Sequence, residues 1–157
     1  DKNLRILIPG CGNTYEAGYL LQQGFTDITV IDIAPALVEK LKQKFAANPA
    51  VKIILGDFFE HAGEYDLVLE QTFFCAIDPL MRKAYVAKMK DLLAPGGKLT
   101  GVLFNREFEQ KGPPFGGCQS EYRLLFEKDF NILAFETCYN SFTKRQGTEL
   151  FINLRKN

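Results

Sequence analysis

A chain of 157 residues, 46% hydrophobic and 24% charged, has the length and composition of one compact domain and excludes a disordered, collagenous or disulfide-stapled polypeptide. Lys and Arg number 19 and so do Asp and Glu, which leaves no basic excess for nucleic acid or anionic lipid. No apolar run approaches the roughly 18 residues of a membrane span, residues 1–3 lead into a strand-like run without a signal peptide, and Cys11, Cys75, Cys118 and Cys138, none in a CxxC or zinc spacing, read as reduced thiols of a cytoplasmic protein.

Residues 4–9 are a nearly continuous apolar run, as expected of a strand buried in a parallel sheet, and they end at Gly10-Cys11-Gly12-Asn13. Ala17, Leu20 and Leu21 then fall at helical spacing. Asn13 and Glu16 resemble a capping box, and Gly24 suits the position just past the helix end. Residues 27–32 are β-branched, with Asp32 at the carboxyl end. Pro35 suits the first turn of a second helix, whose apolar face is Leu37, Val38, Leu41 and Phe45, and Asn48-Pro49 breaks the chain. Residues 51–55 form a third strand that ends at Gly56-Asp57-Phe58-Phe59. Residues 65–70 form a fourth, ending at Glu70-Gln71-Thr72.

A helix from about 79 to 93 carries Tyr85, Met89 and Leu92 as its stripe, with Val86 and Leu93 beside them. Ala94-Pro95-Gly96-Gly97 predicts a turn into a fifth strand, 98–104. Residues 105–117 read as a long surface loop, and loops of that length often carry function. A short helix follows over 120–126. Two strand-like runs, 132–142 and 149–155, predict an antiparallel hairpin turning at Lys144-Arg145-Gln146-Gly147. The alternation of strand and helix argues an α/β fold, a doubly wound, mostly parallel sheet, in one domain over residues 1–157.

In such a sheet, ligands bind outside the carboxyl ends of the strands. The non-apolar features of this chain cluster there. Glycines after the first strand let a ligand lie against bare backbone and leave the following helix N-terminus open. Asp32 can accept both hydroxyl hydrogens of a ribose. Asp57 can accept from an exocyclic adenine amine while Phe58 covers the ring face. The third glycine position of G-x-G-x-x-G is Tyr15 and no P-loop lysine is present, so a pyrophosphate has no cradle and a nicotinamide-dependent oxidoreductase is disfavoured. An adenosine with a non-phosphate tail fits better, and S-adenosylmethionine is such a ligand.

No Ser/His/Asp set, metal-ligand cluster or Cys/His pair is visible. His61 reads as a solvated loop histidine and Cys75 as a packed thiol. Arg82 and Arg106 read either as solvated charges or as groups that attract an anionic substrate. Phe73, Phe74 and Phe115 read as walls of an apolar acceptor pocket, with Phe73 or Phe74 turned into the core if that stretch is extended.

The order IPGCG, VIDI, GDFF, a polar strand end and LLAPGGKL resembles class I S-adenosylmethionine-dependent methyltransferases over nearly the whole chain. Within that class, Gln71-Thr72-Phe73-Phe74-Cys75-Ala76-Ile77-Asp78-Pro79, followed by Met81-Arg82 and Tyr85, resembles the plant halide/thiol methyltransferases. Gly112-Pro113-Pro114-Phe115 resembles the thiopurine S-methyltransferases of the same superfamily. The resemblance implies a Rossmann-like sheet of seven strands with the last one antiparallel, and S-adenosylmethionine as cofactor with S-adenosylhomocysteine as product. It implies Gly10, Cys11 and Gly12 at the methionine part, Asp32 at the ribose, Asp57 and Phe58 at the adenine, and Glu70 and Gln71 near the sulfonium, with Ile33 also against the cofactor. Phe73, Phe74, Arg106 and Phe115 would line the acceptor pocket. The implied reaction is methyl transfer to a small soft nucleophile, a thiol, thiopurine or halide. It needs little or no general base, and no catalytic residue or metal is assigned.

Two departures stand out. Phe115 occupies a position that is usually Tyr in the halide/thiol branch, and these families carry some tens of residues before the first strand that help cover the site. Either that lid segment lies outside residues 1–157 or the expected site is more open than in those families. Both features favour an alternative, a cofactor-binding protein of the same fold without turnover. A nucleic-acid methyltransferase is disfavoured by zero net charge and by Glu70-Gln71-Thr72-Phe73-Phe74 standing where an NPPY-like motif would be. The expected partner is a small-molecule acceptor, with no nucleic acid and no membrane, acting on a monomer.

Overall fold

Two strands set the centre of the sheet. In β1 (Arg5–Pro9) and β2 (Asp27–Asp32) burial hardly alternates, because Ile6, Leu7 and Ile8 on the first and Ile28, Val30 and Ile31 on the second are all shielded. A strand buried on both faces needs helices on both faces. The computed structural model, which describes residues 1–157, supplies them.

After β1 and α1 (Tyr15–Gln22) come β2, α2 (Pro35–Lys44), β3 (Val51–Leu55), β4 (Tyr65–Gln71), α3 (Arg82–Leu92) and β5 (Leu93–Phe104). The chain ends with α4 (Gln119–Phe126), β6 (Phe130–Thr137) and β7 (Glu149–Lys156). The sheet order is β3-β2-β1-β4-β5-β7-β6, parallel through β5, with β7 inserted antiparallel between β5 and β6. The direction of winding reverses between β1 and β4, and that is where a crevice opens at the carboxyl ends.

The period of two along β1 divides the core. Ile6 and Ile8 pack with Ala17 and Leu20 of α1 and Leu41 of α2, whereas Leu7 faces the larger cluster containing Tyr85 and Met89 of α3 and Tyr122 and Phe126 of α4. Each fully buried Leu, Ile or Phe contributes about 1.5–3 kcal/mol relative to exposure. No helix is long and apolar enough to cross a membrane, and all four cysteines are unbridged.

Helix ends show what local sequence decides. Gly24, at φ 84°, donates its N–H to Leu21, and the Phe25 N–H reaches back to Leu20, a Schellman closure of α1. The Asn13–Glu16 capping box does not form: α1 starts at Tyr15, and Thr14 stands at its N-cap in a left-handed conformation with no side-chain cap. The Thr14 N–H is spent on the Cys11 carbonyl, so the tight glycine turn overrides the cap.

The helix expected over 79–93 opens as a single 3-10 turn, Pro79–Met81, held by the Asp78 carboxylate accepting from the Leu80 N–H at 2.9 Å. The turn expected at 94–97 is a bulge inside β5: Leu93 pairs with Tyr65, Gly96 turns at φ 74°, and pairing resumes at Lys98 opposite Leu67. The terminal hairpin forms as expected, but its first arm stops at Thr137 rather than 142. Thr137 pairs with Leu150, Cys138 donates to the carbonyl of Glu149, and β7 has no residue further back to pair with.

Candidate functional site

The loop after β1 is wound left-handed at Gly10 (φ 55°) and Gly12 (φ 51°), which a side chain would resist. A Cβ on Gly12 would meet nothing within 4 Å, so its backbone faces open space. Beside it, the Asp32 carboxylate is held by two backbone donors, Gly12 N–H to Oδ2 at 3.2 Å and Ala34 N–H to Oδ1 at 3.0 Å. Each oxygen keeps a further lone pair for a ligand hydroxyl. Asp57 caps the 3-10 turn Phe58–Glu60 through Oδ1, which accepts from the Phe59 N–H at 2.8 Å. Its Oδ2 accepts nothing from the protein.

These strand ends meet at one cavity of about 410 Å³. Gly10, Asp32 and Ile33 form one side, Gly56, Asp57, Phe58 and Phe59 the next. Thr72, Phe73, Ala76, Ile77 and Met81, from the segment after β4, close it. Of the residues read from sequence, Gly10, Asp32, Ile33, Asp57, Phe58 and Phe73 are therefore together. Cys11 is buried behind the loop, and burial, reinforced by the Asp32 charge, pushes its thiol up to about 12. Gly12 adjoins Asp32, and Gln71, half-buried at the end of β4, does not line the cavity.

Glu70 corrects an expectation. It is 1% exposed and faces the core, not the cavity. Its Oε1 accepts from the Phe73 and Phe74 N–H groups at 2.8 and 2.9 Å, and its Oε2 from the Tyr85 hydroxyl at 2.5 Å. Burial pushes the carboxyl up to about 7 despite these three donors. Phe74 is also corrected as a pocket residue. It is 1% exposed and packs edge-on against Tyr85 and Tyr122, at 5.1 and 5.3 Å. Phe73 takes the opposite course: its ring fills the space where a Gly10 side chain would be and meets Phe58 edge-on at 5.1 Å.

Arg106 and Phe115 do not line this cavity either. The 105–117 loop returns on itself through an Arg106–Gly117 bridge, and the Arg106 guanidinium lies 4.8 Å over Phe108, beside a separate surface depression with Glu109, Gln110 and Pro114. The Phe115 N–H donates to the Cys75 carbonyl at 2.7 Å, tying that loop to the segment after β4. Arg82 is neither solvated nor open to an anion. It is 4% exposed, stacked on Phe74 and Tyr122, and donates to the Gly116 carbonyl at 2.6 Å and to Glu121 at 3.3 Å.

The remaining candidates for nucleophile or base are packed. Burial, and then the Glu70 charge, push the Cys75 thiol up to about 11, and its Sγ donates to the Thr72 carbonyl. His61 is not a free loop residue: Nε2 lies 2.7 Å from the Tyr65 hydroxyl, and burial with the nearby Lys88 charge lowers its pKa. The sequence reading missed Phe59, Thr72, Ala76, Ile77 and Met81. Phe73, Ile77 and Met81 recur every four residues, a signal that could have added Ile77 and Met81 to Phe73.

Comparison with known proteins points the same way. The family model described as Thiopurine S-methyltransferase (TPMT) matches residues 1–153. A probable thiol methyltransferase 2 of Arabidopsis thaliana is 35% identical over 153 residues, 94% of this chain and 67% of that protein. A thiocyanate methyltransferase 1 of Brassica oleracea is 28% identical over 151 residues, 92% of this chain and 66% of that protein. The chain thus spans about two thirds of the length of the curated relatives it matches. In fold, it is similar to the crystal structure of Burkholderia thailandensis 1,6-didemethyltoxoflavin-N1-methyltransferase with bound 1,6-didemethyltoxoflavin and S-adenosylhomocysteine. The TM-score is 0.78 at 21% identity, covering 99% of this chain and 72% of that one.

Proposed function

The chain belongs to the thiopurine S-methyltransferase family, and from that premise we propose that it transfers the methyl group of S-adenosylmethionine to a small soft nucleophile, a thiol, thiopurine or halide. The observation that carries this reading is the meeting of Gly10, Asp32, Asp57 and Phe58 at one cavity outside the carboxyl ends of β1, β2 and β3. The residues present fit the cofactor. Gly12 leaves bare backbone beside a carboxylate already oriented by two amides, and Asp57 keeps one oxygen free next to an aromatic wall.

When bound, S-adenosylmethionine supplies a methyl group already activated by its sulfonium. The protein's share is then placement. Asp32 would accept from the ribose hydroxyls, Asp57 would accept from the adenine amine, and Ile33 and Phe58 would confine the cofactor. The loop of Gly10, Cys11 and Gly12 and the end of β4 at Gln71 would hold the methionine part. Phe58 and Phe73 exclude water, which strips the nucleophile of part of its hydration and holds it in line. Burial pushes the Cys11 and Cys75 thiols up, to about 12 and about 11, which disfavours either as a nucleophile.

The names of the Arabidopsis and Brassica relatives, a thiol and a thiocyanate methyltransferase, favour a soft sulfur acceptor. Residues 1–157 act as a single domain and a monomer on a small molecule, without nucleic acid, in the cytoplasm. Zero net charge supports the absence of nucleic acid, and four unbridged cysteines support the compartment. The test is an assay of methyl transfer from S-adenosylmethionine to a panel of thiols, thiocyanate and iodide. Methylated thiol or thiocyanate is the expected product. Saturable cofactor binding with no product from any acceptor would support the alternative, a binder without turnover.

A further inference from the structure

We propose that Glu70 is a positioning residue for the cofactor cavity: its buried carboxyl fixes the turn after β4 so that Phe73 is pressed against Gly10 and Phe74 is committed to the core. The inference rests on the reading that the cavity takes the adenosyl cofactor.

The chain leaves β4 at Gln71 and turns at Thr72, a non-glycine residue at φ 63°. A left-handed conformation there is unfavourable by about 1–2 kcal/mol and persists only where surrounding contacts hold it. Two adjacent aromatic residues follow, and the turn must send one each way. The Phe73 and Phe74 N–H groups both donate to one oxygen of Glu70, and the other oxygen takes the Tyr85 hydroxyl from α3. The carboxyl thus ties the turn to its own strand and to a helix at once.

Glu70 has no freedom to shift. On its β5 side stands Gly101, where any side chain would collide with the Glu70 backbone and Cβ. Nor can water take over, since Glu70 and Tyr85 are both buried. Removing the carboxyl would orphan two backbone donors and a phenol in the core. The most direct route from the carboxyl to the site is Phe73, alongside Thr72 at the turn itself and Tyr85, whose ring lies 5.9 Å from Phe58. The Phe73 ring occupies the place of the missing Gly10 side chain, lines the cavity with Asp32 and supports Phe58. Glu70 touches none of the cavity and yet sets the width of its mouth.

The experiment is calorimetric titration of S-adenosylhomocysteine into wild type, Glu70→Met, Glu70→Gln, Phe73→Ala and the double variant Glu70→Met/Phe73→Ala. Glutamine keeps an acceptor for the two amides and a donor for the Tyr85 oxygen, so its affinity should stay within about threefold of wild type. Methionine should weaken binding about tenfold or more, with a cooperative unfolding transition retained. The double variant should bind no more weakly than the worse single variant, because both changes act through one ring. Additive losses, or wild-type affinity in Glu70→Met, would overturn the proposal. Should Glu70→Met not fold, Tyr85→Phe replaces it: a loss of affinity that vanishes in the Phe73→Ala background supports the proposal, and an unchanged affinity refutes it. A wild-type protein that binds nothing would instead refute the cofactor reading itself, and the inference with it.

Discussion

The two walls of the cavity are built by different means. The wall at the ends of β1, β2 and β3 is made of bare backbone and short carboxylates whose partners lie two residues away or across one strand: Asp32 with Ala34 and Gly12, Asp57 with Phe59. The wall after β4 is made of Thr72, Phe73, Ala76, Ile77 and Met81, and the segment is held from underneath by buried polar groups: Glu70 under Phe73 and Phe74, and Arg82, which ties the start of α3 to the 105–117 loop behind the wall. The first wall is local chemistry at strand ends. The second depends on tertiary packing, and damage to its supports should be felt differently.

The largest expected effect is at the seam between the walls. Gly10→Ala adds a Cβ that collides with the Phe73 ring, at a backbone φ of 55° that already disfavours a side chain. Strain and displacement together should lower stability by about 2–4 kcal/mol and abolish S-adenosylhomocysteine binding. Denaturant unfolding and calorimetry on one preparation check both, and wild-type affinity in this variant would mean that Phe73 does not form the wall.

Arg82→Met should come next. It leaves the Gly116 carbonyl and Glu121 without their donor and removes stacking on Phe74 and Tyr122, at about 2–3 kcal/mol in urea unfolding. Cofactor affinity should be unchanged, since Arg82 touches only Gly116 of the 105–117 loop, Glu121 and the core rings Phe74 and Tyr122. A loss of affinity equal to that of Gly10→Ala would erase the distinction between the walls.

A smaller effect should follow pH. Burial raises the Glu70 carboxyl from 4.5 to about 7, so the folded protein keeps a proton that the unfolded chain releases in between. That contribution is complete below about pH 4.5 and is lost as pH rises through about 7. Wild-type Tm should therefore fall relative to Glu70→Gln over that interval, by about 3–6 °C if the group is worth about 1–2 kcal/mol. Parallel Tm profiles for the two proteins would show that Glu70 is ionised throughout.

The smallest effect is expected for Cys75→Ala, a packed thiol raised to about 11 with one hydrogen bond to the Thr72 carbonyl. Its kcat on a thiol acceptor should stay within about twofold of wild type, at about 1 kcal/mol of stability. Activity lost while the fold survives would make Cys75 part of the chemistry.

The same contrast governs what could be read without coordinates. Strand ends were legible because a parallel strand is an unbroken apolar run and its stop is abrupt: Pro9 to Gly10, Ile31 to Asp32, Leu55 to Gly56 and Asp57. The hairpin followed from two further strand-like runs, and the sheet of seven strands was what the family resemblance implied. Phe73 and Phe74 were not separable, because the turn between them is set by hydrogen bonds to Glu70 and by Tyr85, fifteen residues further on. Arg82 reads as a surface charge in a helix pattern, and only the arrival of α4 and Gly116 buries it. Nor does sequence reveal that Thr14 spends its N–H on Cys11 instead of opening a capped helix.

The most direct test of the central claim is calorimetric titration of S-adenosylhomocysteine into the wild-type chain, with Asp32→Ala and Asp32→Asn beside it. Asn keeps one acceptor oxygen but not the charge or the second. The account predicts an affinity of about micromolar for wild type, a partial loss in Asp32→Asn, and loss by more than about a hundredfold in Asp32→Ala, whose unfolding transition remains cooperative. Binding in Asp32→Ala equal to wild type would contradict it, and so would a wild-type chain that releases no heat of binding with this ligand.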